Sequence, residues 1–191
     1  GGRLLHPPRF ATPGDLADLL CDVPTPVAGE LDATLARVAA LRAMPREALA
    51  TVVPFLPDAN DVLGWMELAR ELATLSDELA TGLLTPGDVP ARSKSLDAFA
   101  DAARWQVLQR AEDAYHAKLA DIGRADASAA WLQAVREKQC GSDATIVLIG
   151  VLDANLLTQR LLEQHDGDVV ALVHAPESEA AGFTSLGTLQ T

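Results

Sequence analysis

The sequence predicts an α/β fold in which a mostly helical region, residues 1–140, packs on a small Rossmann-like parallel βαβ unit, residues 141–191. Three observations predict it. Ile146-Val-Leu-Ile149 and Val169-Val-Ala-Leu-Val173 are near-continuous β-rich apolar runs, the pattern of strands covered on both faces. Residues 156–164 between them read as a helix, and strand, helix and strand in that order make a crossover between parallel neighbours. Upstream, apolar positions recur at three- and four-residue spacing in stretches broken by Pro and Gly, as in a set of packed helices.

Each element has its own signal. Thr12 is an N-cap with Pro13 at the first helical position and Asp15 at the third, so a short helix runs to Leu20 and breaks across 21–26. From 29 to 44 the positions Leu31, Leu35, Val38 and Leu41 or Ala39 recur helically, and Pro45 ends the run. After Pro57-Asp58 a helix extends to about Thr81 with Val62, Trp65, Met66, Ala69, Leu72, Ala73, Leu75 and Leu79 as its buried stripe, and Thr81-Gly-Leu-Leu-Thr-Pro-Gly stops it. The longest helix spans 95–122, capped by Ser95 and ended by Gly123, with Val107, Ala111, Leu119 and Ile122 among its core positions. A shorter one covers 126–139. Gly141-Ser-Asp is the hinge into the βαβ unit, and the chain beyond Glu177 fades into small and polar residues.

With 191 residues and 49% hydrophobic content the chain supports a real core. A net charge of −12 with scattered Lys and Arg argues against a stand-alone nucleic-acid binder and points to acidic solvation or to an acidic face toward a basic partner. Cys21 and Cys140 lie far apart without metal-ligand or CxxC spacing, which favours a reducing, cytoplasmic setting over a disulfide scaffold. No apolar run approaches the roughly 20 residues of a membrane span.

Gly150-Val-Leu-Asp153-Ala-Asn155 lies where a phosphate loop would sit, but has one glycine and no following Lys, so it reads as a strand-to-helix turn capped by Asp153 or Asn155. Asp153 and His174, beyond the carboxyl ends of the two strands, are the candidate ligand-binding pair. Glu112 and His116 share a helix face at four-residue spacing; without a third ligand they read as a solvated face, and no metal is expected. His165-Asp-Gly-Asp168 reads as a turn in which Gly167 supplies positive φ. Neither a nucleophile elbow nor a Cys/His pair supports covalent catalysis, and no catalytic residue or cofactor is expected. The three tryptophans, Trp65, Trp105 and Trp131, sit at core-like helical positions.

The order Pro8-Arg-Phe-Ala-Thr12-Pro-Gly-Asp-Leu, Trp65-Met-Glu-Leu-Ala-Arg70-Glu-Leu, Ala103-Arg-Trp105-Gln-Val-Leu, Leu119-Ala-Asp-Ile-Gly123-Arg-Ala-Asp126, Ile146-Val-Leu-Ile-Gly150-Val and Ala171-Leu-Val-His174-Ala-Pro-Glu177 resembles AddB-type double-strand-break repair proteins of the PD-(D/E)XK nuclease family. The resemblance implies an interior, UvrD-like helicase-type region: a helical insertion over 12–139 beside a helicase-like core over 144–177. It implies a non-catalytic scaffold, with the remaining domains of the parent protein, DNA through the full-length protein and a helicase–nuclease partner subunit as partners, and no membrane. No catalytic residue of the family maps onto this chain. The other readings are a small Rossmann-like enzyme or ligand-binding domain using the crevice near Asp153 and His174, and a purely structural helical adaptor. Because both strands are apolar at successive positions, the βαβ unit is expected to need further cover: from an upstream segment, an extended strand at 3–10, the tail at 186–190, or a second molecule.

Overall fold

The computed structural model describes residues 7–93 and 101–190, and it is a mixed α/β structure dominated by helices. Helix α1 (Leu16–Leu20) follows a 3-10 turn at Pro13–Asp15. Thr12 N–H and Oγ1 both donate to Asp15 Oδ2, at 2.8 and 2.7 Å, closing the expected cap. The tetrapeptide recurs as Thr85-Pro-Gly-Asp88 and makes the same two bonds, each at 2.8 Å. There it leads into a further short helix (Val89–Arg92), so a stretch read as a stop signal also starts the next turn.

The helical region is built on α2 (Glu30–Ala43), sandwiched between the long helix Val62–Thr81 and the long helix Ala102–Asp121. Between the first two lies a four-residue helix, Arg46–Leu49, that the sequence reading passed over. In chain order these are α3 (Arg46–Leu49), α4 (Val62–Thr81), α5 (Val89–Arg92) and α6 (Ala102–Asp121), followed by α7 (Ala127–Arg136). The expected start of α6, with its Ser95 cap, lies outside the described residues. Val38, Leu41, Leu49, Trp65, Leu68, Ala69 and Ala111 make one core cluster, and Ala36, Ala40, Tyr115 and Leu119 another. Trp65 is buried with its Nε1–H donated to Asp58 O at 3.0 Å. Leu31 and Leu35 are exposed instead of buried, because α2 turns the stripe containing Ala36, Arg37, Ala40 and Leu41 toward its neighbours. Val62 and Ile122 are exposed too, Val62 as the first residue of α4 and Ile122 as the residue just after α6.

Two parallel strands, β1 (Ile146–Ile149) and β2 (Val169–Leu172), pair in register from Ile146↔Val169 to Ile149↔Leu172. The crossover helix α8 (Leu156–Gln164) is capped by Asn155, whose side chain accepts from Thr158 N–H at 2.8 Å. Leu157, Leu161 and Leu162 of α8 join Leu16, Ala17 and Leu20 of α1 and Ala134 and Val135 of α7 in a third core cluster, with Ile146, Leu148 and Val169 packed on it. The helical region and the βαβ unit therefore share one core, not merely an edge.

Two expectations need correction. Cys21 and Cys140 form a disulfide, their Cα atoms 4.1 Å apart, next to the bond from Gly141 N–H to Leu20 O at 2.9 Å. A separation of 119 residues hid the pair from spacing rules, and the bridge removes the cysteine argument for a reducing compartment. Gly167 does not have positive φ. It is glycine because a Cβ there would run into the Ala144 carbonyl and the His165 ring, where Gly167 N–H meets Ser142 O at 3.0 Å. No helix among the described residues is long and apolar enough to cross a membrane.

Candidate functional site

At the carboxyl end of β1, Gly150 adopts φ +65° and gives its N–H to Leu172 O at 3.0 Å, extending the ladder. Asn155 Oδ1 accepts from Thr158 N–H in the first turn of α8, and Gln159 Nε2 donates to Ala154 O at 2.6 Å. The Gly150 and Thr158 N–H groups are thus used internally, and Asn155, not Asp153, is the cap. Asp153 and His174 are both exposed, and no hydrogen bond or ion pair joins them among the described residues. The crevice they were expected to share contributes no assembled acid and base.

The helical core contains what the sequence reading missed. Arg37 on α2 and Glu112 on α6 are both buried and pair in a fork, Nη1 to Oε2 at 2.5 Å and Nη2 to Oε1 at 3.2 Å. The guanidinium also lies over the Tyr115 ring, 3.8 Å from its centre. Glu112 Oε2 accepts a further bond from Ser76 Oγ at 2.9 Å, and His116 Nε2 stands 3.4 Å from Oε1 without hydrogen-bond alignment. Tyr115 OH donates to Asp126 Oδ2 at 2.8 Å, while Asp126 Oδ1 caps α7 through Ala129 N–H at 2.9 Å. Glu112 therefore belongs to an interior ionic centre, with His116 half-exposed at its edge, and not to a solvated face. The helical spacing was visible; the Arg37 that reaches it from 75 residues away was not.

Electrostatics make this centre structural in character. Burial alone would raise the Glu112 carboxyl, but His116 and Arg37 outweigh it and bring the group down to about 2. The Glu112 carboxylate in turn raises His116 against the opposing effect of burial. Burial, with Asp126 next, pushes the Tyr115 phenol upward. A carboxylate this acidic is a poor base at neutral pH, and its lone pairs are already engaged. No group of three His, Cys, Asp or Glu side chains arranged to hold a metal occurs among the described residues.

Two clefts flank the centre. One, of about 610 Å³, runs among α2, α4, α7 and α8, and its mixed polar and apolar lining includes Arg37, Tyr115, Asp126, Trp131 and the bonded pair Ser128 and Asp77. The other, of about 520 Å³, opens on His116, Asp126 and the segment after Cys21.

No known protein family, curated protein or solved structure matches this chain.

What distinguishes the molecule is its sheet. The inward side chains Ile146, Leu148 and Val169 pack on the core, whereas the outward Val147, Ile149, Val170 and Leu172 are 43–68% exposed. The strands were expected to be covered on both faces; the described residues cover one. The tail expected to add a strand does not: Leu189 N–H bonds to Leu152 O at 3.1 Å beyond the end of β1, and Gly187 packs against Ala171 and Val173. Residues 7–10 are exposed and form no strand, and the rest of the expected amino-terminal strand lies outside the described residues. Both outer strand edges are unpaired among the described residues.

Proposed function

We propose that this chain is a non-catalytic, helicase-like scaffold module of a DNA double-strand-break repair helicase–nuclease protein. The observation that carries the reading is the uncovered apolar face of a parallel βαβ unit whose inner face is built into the helical core. Parallel sheets hold together when both faces are covered, so such a unit is suited to joining a larger α/β assembly. That matches the setting the family resemblance implies, in which the remaining domains of the parent and a partner subunit supply the missing cover and DNA is engaged through the whole protein. Asp153 and His174 are both exposed, and among the described residues no hydrogen bond or ion pair joins them. A purely helical adaptor fits less well, since α8 contributes three leucines to the core shared with α1 and α7.

The reading predicts that the chain neither binds nor hydrolyses ATP, the turn after β1 having one glycine and no Lys. It also predicts that DNA ends bind no tighter than about 1 μM at about 0.15 M salt, since the net charge is −12. Calorimetry with magnesium and ATP, and anisotropy with a labelled blunt duplex, check both. A tight magnesium-dependent ATP complex or submicromolar DNA binding would refute the reading.

A further inference from the structure

The open face of the sheet combines apolar rungs with exposed acids at the amino end of its strands. Val147 and Val170 are register partners, as are Ile149 and Leu172, so four exposed apolar side chains form two rungs on one side of the sheet. Asp168 precedes Val170 by two residues in the strand alternation and is exposed. Asp143 and Asp166 are exposed at the same amino end of the strands, where Gly167 N–H joins Ser142 O at 3.0 Å. Residues 141–191 contain seven acids against one Lys or Arg. That one, Arg160, is paired with Glu163 on α8 at 2.6 Å.

A parallel sheet face is covered in proteins by helices, which fixes the shape of the occupant. Charge fixes its chemistry. A second copy of this chain is a poor fit, because pairing the patch with its own image brings together two bodies each of charge −12. Nucleic acid is excluded by the same sign. We propose that Val147, Ile149, Val170 and Leu172 are the docking site for an amphipathic helix of a partner protein, with an apolar stripe flanked by Lys and Arg that meet Asp143, Asp166 and Asp168. This names the partner chemistry for the scaffold role and rests on that reading.

Two synthetic helical peptides with one leucine stripe, flanked either by Lys and Arg or by Glu, test it by fluorescence anisotropy on the full chain. The basic peptide is expected to bind saturably and to weaken as salt rises, with the acidic peptide at least about tenfold weaker. The double variant Val147→Asp/Leu172→Asp, at exposed positions, is expected to lower basic-peptide affinity roughly tenfold or more with circular dichroism unchanged. Asp143→Lys/Asp168→Lys is expected to shift the preference toward the acidic peptide. Absence of saturable binding, equal binding of both peptides, or full binding by Val147→Asp/Leu172→Asp overturns the proposal. So does a concentration-dependent dimer in sedimentation that this variant abolishes, which assigns the face to a second copy. Failed peptide binding with a silent ATP titration removes this partner and leaves the non-catalytic reading standing; an ATP complex removes that reading whatever the peptides do.

Discussion

Glu112→Ala is expected to destabilise the chain by about 3–5 kcal/mol, the cost of leaving a buried charge unpaired. Arg37 has about 5% of its side chain exposed, and both its bonded nitrogens face Glu112, so truncation leaves a nearly buried guanidinium without its carboxylate. Replacing both partners with apolar residues, Arg37→Met/Glu112→Leu, is expected to be nearly neutral or stabilising, since it removes two desolvation penalties along with one attraction. Urea titrations of the single and double variants measure the difference. A mild effect for Glu112→Ala, or a double variant as unstable as the single, would show that the pair does not behave as a dry ion pair. The same centre sets a pH dependence. Because the folded Glu112 titrates at about 2 instead of 4.5, its contribution is complete above 4.5 and is lost as pH falls toward 2. His116 titrates above its ordinary 6.5, so its contribution is complete below 6.5 and fades as pH rises through the folded value.

Removing the Cys21–Cys140 bridge has an expected cost of about 2–5 kcal/mol. The bridge closes a loop of sequence separation 119, and long loops lose the most denatured-state freedom when cross-linked. It also fastens the end of α1 to the segment that leads into β1, beside Leu20 and Val135 of the shared core. Cys21→Ser/Cys140→Ser, or reductant added to the parent chain, is expected to lower the urea midpoint with a similar transition slope. An unchanged midpoint in reductant would mean that the two thiols do not pair in solution.

The local signals in the sequence were strong where one element decides its own form. The apolar runs of β1 and β2, the Asn155 cap with α8, and the twenty residues of α4 all fall where periodicity and capping place them. Signals failed where the deciding partner is remote. Arg37 sits in a helix whose leucines at 31 and 35 suggest a different buried side, and only the packing of α6 against α2 explains why a charge occupies the interior. Cys21 and Cys140 gave no spacing clue for the same reason. Gly167 was read through φ when the constraint is the close approach of the Ala144 carbonyl. The continuous apolar character of the strands was read as two-sided cover, and it describes a demand that the described residues meet on one side only.

The βαβ unit is anchored through its inner face and open outward, and hydrogen exchange on the isolated chain reports this claim amide by amide. Amides in α6 around Ala111 to Leu119 and in α8 around Leu157 to Leu162 are buried in the core clusters and are expected to exchange slowly. Amides of Ile146–Ile149 and Val169–Leu172 that point to the unpaired outer edges are expected to exchange markedly faster. Protection across both strands as strong as that of α6, in a chain shown by sedimentation to be monomeric, would contradict the claim.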